Sequence, residues 1–435
     1  MHHSSLRGLH LLLRFISMVT AICGCLQPAR AQGEESATFA DEGGLLFRAD
    51  VSGTRPQPEY DPKGIKVDSF RVFTSITMAT AFDSNVFNLA SGKNADASAS
   101  LEPRFRASSD WGLNQLDLTA SARITRFASK GAENREEFGF SLSGRLDAEN
   151  NDAAFGRIDF RQETEPRGAG GQRVLGAEPS AFAELNIGVA TRQSFGPIKL
   201  QVSASVGRRT FDPIRLISGG RFDQAFRDTE TIQISPRILF ALTPDTGLFL
   251  AGTASRTKTL NPKSFSDRTA TGRRILFGAR GSIGNLVAAE VGLGVQARNY
   301  RAPQFRDYAG FAYSAIIDWY PTPLLSVRLT ANQEFQNSGI VAVAAIRNNA
   351  LQLATYYELL RNVKVAFTLR DERESYRELS IVTKTSSAIA RVDLDIGPRL
   401  TAGLNLGFRR RGSTDPSVIG KYSGVTLALS LTGRM

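Results

Sequence analysis

From Phe70 onward the chain repeats a single unit: ten to fourteen residues of strict apolar–polar alternation, then a turn. Ala95, Ala97, Ala99, Leu101, Pro103, Phe105 and Ala107 alternate with Asp96, Ser98, Ser100, Glu102, Arg104, Arg106 and Ser108. Leu116, Leu118, Ala120, Ala122 and Ile124 then alternate with Asp117, Thr119, Ser121, Arg123 and Thr125. A period of two is an extended strand whose faces differ, one apolar and one charged. Strands of a soluble sandwich alternate as well, but they usually run about five or six residues. These units are about twice that length, which is what a tilted strand needs to cross a bilayer.

Such units are predicted near 70–82, 95–108, 114–127, 136–149, 153–164, 181–193, 198–210, 229–242 and 247–258. They continue near 273–283, 286–298, 309–320, 324–335, 347–359, 363–371, 383–396, 400–410 and 422–433. That makes about 18 strands, with 16 as the nearest miscount. Short connections such as Asn150-Asn151-Asp152 and Pro321-Thr322-Pro323 alternate strictly with long ones such as 165–180 and 211–228. A meander closed in a membrane produces that alternation, with tight turns on one side and long loops on the other. The expected fold is all-β: a transmembrane, antiparallel, up-and-down β-barrel in the outer membrane of a Gram-negative bacterium. Its last strand must pair with its first, because an open sheet edge cannot exist in lipid. Val425, Leu427, Leu429, Leu431 and Met435 are the expected outward row of that last strand, interrupted at Gly433.

The amino terminus reads as an export signal over residues 1–31. Arg7 and Arg14 precede an apolar core, and Ala29-Arg30-Ala31 sets the cleavage between Ala31 and Gln32. The stretch Ile22-Cys23-Gly24-Cys25 loosely resembles a lipobox as well. Residues 32–69 then form a segment with Pro56, Pro58 and Pro62, expected in the periplasm or partly in the lumen, and 70–435 is the barrel. All three histidines (His2, His3, His10) and both cysteines (Cys23, Cys25) leave with the signal. Without imidazole or thiol, Ser-His-Asp catalysis, cysteine nucleophiles, histidine-ligated zinc and disulfide scaffolds are excluded. No cofactor and no enzymatic activity are expected. The signal also removes three arginines and no acid, so 50 basic and 42 acidic residues remain, a balance of +8 against +11 for the whole chain. That is not the charge density of a nucleic-acid binder.

After the first strand the chain reads Phe82-Asp83-Ser84-Asn85-Val86-Phe87. On its own, this hexapeptide reads as a strand-end turn in which Asp83 and Asn85 satisfy local amides. Its position, the strand count and the length together resemble the family called Putative beta-barrel porin 2 of proteobacterial outer membranes. In that resemblance Phe82, Asp83, Asn85 and Val86 carry the motif, and the match covers 70–435. It implies an outer-membrane barrel, some members of the family being linked to surface polysaccharide export.

The face opposite the apolar row holds the lumen-lining candidates. They are Arg104, Arg106, Asp117, Arg123, Arg145, Asp147, Arg157, Asp159 and Arg161, then Arg237, Arg280, Arg328, Arg370, Arg391 and Asp393. Bases and acids are interleaved, so much of this wall is expected to be paired. Asp393 and Asp395 share that face two residues apart, and partnership with Arg391 is the simpler reading over glycosidase chemistry. Arg215, Arg221, Arg227, Lys263, Arg268, Arg273 and Arg274 are expected in external loops. There they would form a funnel for anionic polymer or bind lipopolysaccharide phosphates. The expected function is a porin-like channel, with a polysaccharide conduit working beside a periplasmic export partner favoured over a diffusion porin or a non-conducting barrel. Expected partners are outer-membrane lipid, lipopolysaccharide and anionic polysaccharide; the sequence leaves the oligomeric state open.

Overall fold

The computed structural model describes residues 55–149, 152–169, 176–262 and 267–435. The signal segment, with its Ala31–Gln32 cleavage, and Lys263 lie outside the described residues. The first nine spanning strands are β1 (Phe70–Asp83), β2 (Asp96–Ser109), β3 (Gln115–Phe127), β4 (Arg135–Asp147), β5 (Ala153–Thr164), β6 (Ala181–Phe195), β7 (Ile198–Phe211), β8 (Thr229–Ala241) and β9 (Gly247–Thr259). The other nine are β10 (Ala270–Ile283), β11 (Val287–Tyr300), β12 (Tyr308–Thr322), β13 (Leu325–Asn337), β14 (Ala345–Leu360), β15 (Val363–Tyr376), β16 (Ile381–Asp395), β17 (Leu400–Ser413) and β18 (Tyr422–Arg434). They account for all but one member of a 19-stranded sheet, whose remaining member is the short strand Ile65–Val67. Each strand pairs antiparallel with the next, and β18 returns to β1 from Ser75–Arg434 to Asp83–Thr426. The barrel is closed, as backbone pairing in lipid demands.

Which face points outward follows from exposure. Leu427, Leu429 and Leu431 on β18 are 45%, 57% and 47% exposed, as are their counterparts Leu404 and Leu406 on β17 at 43% and 50%. Isolated in water such a surface would be a liability; against acyl chains it is the required one. Proline sits in mid-strand twice. The β2–β3 ladder steps from Leu101–Ile124 to Arg104–Ser121 past Pro103, and the β8–β9 ladder from Ile234–Ala254 to Arg237–Ala251 past Pro236. Each proline removes one donor while both neighbouring strands hold the register. One inward ring shapes the wall: Phe249 lies over Gly278, where an added Cβ would come within 2.4 Å of it.

Several strands run past their predicted limits. β15 continues to Tyr376, where the alternation ends at 371, and β10 begins at Ala270, where 273 is expected. Near the loop end both faces are polar, as in Arg370-Asp371-Glu372-Arg373, so the period of two disappears although the ladder continues. Arg273 and Arg274 therefore belong to β10 and not to a loop. At the opposite end, Ile65–Val67 folds back onto Phe70–Val72. Residues preceding it hold the short-turn rim: Arg55 meets Glu358 at 2.5 Å, and Arg434 donates to the Tyr60 carbonyl at 2.9 Å.

Candidate permeation pathway

The lumen holds a chamber of about 940 Å³, whose lining includes Ser121, Arg157, Asp159, Arg161, Gln233 and Arg370. Its charged side chains are placed by strand parity, and they meet in pairs. Arg104 and Arg123 converge on Glu102 at 3.0 and 2.9 Å, and Arg106 reaches Asp117 at 3.1 Å. Arg145 pairs with Asp147 at 2.7 Å and Arg157 with Asp159 at 2.6 Å, while Arg161 is held by Glu184. Across the barrel, Arg237 forms a two-pronged pair with Glu290 at 2.7 and 2.8 Å, and Arg280 stands opposite Glu290 in the register. Arg328 meets Asp318 at 2.7 Å, Arg370 meets Glu372 at 2.8 Å, and Arg391 meets Asp393 at 2.6 Å. Asp395 is bound by Lys364 and Arg434 at 3.0 and 2.8 Å, so neither carboxylate of that duo is set up for acid–base work. These pairs are partly hydrated, so each adds little stability. Together they fix side chains that would otherwise wave in the channel and cancel most of its field.

Lumen aromatics are covered by guanidinium groups. Phe155 has Arg145 and Arg192 at 5.8 and 5.7 Å from its ring centre, and Phe249 has Arg237 at 4.2 Å. Such cation–π stacking occupies the ring face.

The Phe82–Val86 motif closes the barrel at its long-loop end. Asp83 accepts from the Asn85 amide at 2.8 Å and also from Arg409 on β17 at 2.8 and 2.9 Å. Asn85 is fully buried and donates to the carbonyls of Leu89 and Ser423 at 2.8 and 2.9 Å, while its oxygen accepts from the Leu89 amide. The motif thus ties the first loop to the last two strands across the seam. Asn85→Ala would strand buried partners, and a loss of about 1–3 kcal/mol is expected. Urea unfolding of the reconstituted barrel, followed by its heat-modifiable migration, measures it; an unchanged midpoint would remove the motif from the seam.

Long loops cover the mouth. Arg268, from the β9–β10 loop, is 2% exposed and donates to Ser338 and Ile340 carbonyls at 2.6 Å each, with its guanidinium 4.9 Å from the Phe226 ring. It joins three loops: 212–228, 260–269 and 338–344. Burial, aided by the neighbouring Arg227 charge, pushes its pKa down to about 9. Beside it Val343, Ile346, Tyr376, Ile381 and Ile419 form a buried apolar cluster between loops and strand ends. From the other side, Arg411 on β17 donates to the Gly168 carbonyl at 2.6 Å, so the β5–β6 loop reaches across to the wall near the seam. Arg227 is 2% exposed, bound to Glu165 and stacked 3.3 Å over Phe211. Arg215 is paired with Glu178. Of the expected basic funnel, Arg227 and Arg268 are therefore internal clamps and Arg273 and Arg274 are wall residues. Alternation cannot foresee this, because a loop's inward fold leaves no periodic trace.

A closed 18-stranded antiparallel barrel with an apolar outer belt and a charged, chambered lumen is a porin-like outer-membrane barrel. The sequence profile described as Putative beta-barrel porin 2 matches residues 57–432, and the chain belongs to that family. Among curated proteins the sequence has no match. Among solved structures it is similar to OpdK of Pseudomonas aeruginosa, at 12% identity over 84% of this chain and 99% of that one, with a TM-score of 0.43. It is also similar to OpdO of P. aeruginosa, at 11% identity over 84% and 97% with a TM-score of 0.45. A BenF-like porin of Pseudomonas fluorescens Pf-5 gives 9% identity over 85% and 100%, with a TM-score of 0.43.

Proposed function

We propose that the barrel is a diffusion pathway for small polar solutes, narrowed by loops at its outer mouth. The chamber carries this reading: about 940 Å³, polar, and lined by charges of both signs, among them the Arg157–Asp159 pair. That volume lies in the range of about 300–1,000 Å³ that suits small molecules. A polysaccharide conduit would need open ring faces on which successive sugars could stack, and Phe155 and Phe249 have theirs taken by arginine. The conduit expected from the sequence therefore gives way to the diffusion porin.

Liposome swelling with sugars of graded size tests the reading. Monosaccharides are expected to enter and long oligosaccharides to be excluded; equal rates for both, or no swelling at all, would overturn it. Because acids neutralise most lumen bases, reversal potentials in a salt gradient should show mild anion preference at most, despite the basic chain. Strong selectivity of either sign would mean that the pairs do not persist in the open channel.

A further inference from the structure

The apolar belt ends differently at its two rims. On six strands the residue three in from the long-loop end points outward and is a base: Arg208 on β7, Arg256 on β9, Arg273 on β10, Arg373 on β15, Lys384 on β16 and Arg410 on β17. Other strands carry Ile124, Phe138, Ile232, Phe311 or Val425 outward at that depth, and among the described residues no acid faces outward there. At the short-turn end the same depth holds Ile238, Leu250, Trp319, Tyr357 and Leu431, all exposed, and no outward base. A long basic side chain can reach water from either rim of a membrane. Bases at one rim only therefore answer to what lies at that rim.

The adjacent pair Arg256 and Arg273 has nothing inside the protein to answer it. Lys384, by contrast, is paired with Asp371 at 3.0 Å, and Arg208 stands opposite Glu230 in the register. Arg256 has Ile232 and Thr271 as register partners, and Arg273 has Ala254 and Ala297. Both arginines are exposed, and neither makes an ion pair or a side-chain hydrogen bond among the described residues. Because Arg256 lies opposite Thr271 and Ala254 opposite Arg273, the two are diagonal neighbours on one face, about 7–8 Å apart at the backbone. Two cations that close repel each other, and more strongly where lipid lowers the dielectric. An anion between them replaces the repulsion with charge-assisted bonds, and a phosphate matches the guanidinium fork. Toward the short-turn end Leu250, Ile275 and Phe277 continue the same outward face, exposed and apolar.

We infer that Arg256 and Arg273 hold a phosphate of an acylated lipid of the outer leaflet, whose chains lie along the apolar face beneath them. The charge on the chain and the charge on the headgroup are complementary, and the apolar row continues where acyl chains follow the headgroup. Both arginines face away from the lumen, so this site and the diffusion pathway stand or fall separately.

Native mass spectrometry of the full barrel in detergent, titrated with purified diphosphorylated lipid A, tests the site. R256Q with R273Q is expected to bind at least about tenfold more weakly than the parent, since each base near an anionic headgroup adds to the attraction. R126Q removes an outward arginine already paired with Glu136 and should bind as the parent does; an equal loss there would reduce the effect to net charge and overturn the site. Lipid A freed of its phosphates should bind parent and double variant alike, both at the weaker level. Equal affinity of parent and double variant for the phosphorylated lipid would overturn the site. Undiminished binding of the dephosphorylated lipid would do the same, because the apolar face alone would then hold it. Displacement by an equal concentration of inorganic phosphate would make this a site for a free anion and overturn the lipid. Heat-modifiable migration checks the assembly of each variant. If R256Q with R273Q does not assemble, R273Q alone carries the comparison, with an expected loss of about threefold or more.

Discussion

Leu429→Arg should prevent stable assembly of the barrel. Leu429 lies near the middle of β18, 57% exposed in the outward row, with Thr80 of β1 and Leu404 of β17 as register partners. An arginine there puts a cation near the bilayer midplane, at a cost of about 2–4 kcal/mol. The strand concerned is the one that closes the cylinder, so the loss falls on the step that removes both sheet edges. The neighbouring Ser430→Arg points to the opposite face, toward Gly403 and Asp393, and should assemble normally. Heat-modifiable migration and urea midpoints of the two variants decide the matter. If Leu429→Arg behaves like the parent and Ser430→Arg fails to assemble, the faces have been exchanged.

Arg268→Ala should open the mouth. The side chain joins three loops through two short bonds to carbonyls and a stacked ring, all inside a buried site. Bonds from a charged donor contribute about 1.5–3 kcal/mol each, but burying the guanidinium opposes them, as its pKa near 9 reflects. Even a net loss of about 1.4 kcal/mol shifts an open–closed ratio about tenfold. Single-channel recordings should show higher open probability and larger mean conductance for Arg268→Ala. Arg268→Lys, which offers one point charge in place of a planar fork, should fall between. Identical traces for all three would mean that the loops do not limit the current.

Much of this molecule was legible in the primary structure. Long alternation gives strand number and faces, because lipid outside and water inside impose opposite demands on successive residues. Asp83 and Asn85 were legible as turn-formers, since their side chains mimic backbone partners locally. Their bonds to Arg409 and Ser423 were not, because those partners are more than three hundred residues away and meet them only when the barrel closes. The same holds for Arg268 and Arg227: a loop arginine reads as a solvated charge, and burial depends on where other loops happen to fold. Pairing partners in the lumen depend on register, which alternation leaves free by steps of two. The β12–β13 pairing, which begins only at Ser314–Asn332, is the extreme case: Gln333 to Asn337 lose the alternation, yet nothing along the chain says that they also lose their neighbour. By itself the sequence determined the solvent on each face of each strand, a property of single residues and their period. Closure, the covered mouth and the parted ladder were decided by tertiary structure, because each is a relation between strands or loops that lie apart along the chain.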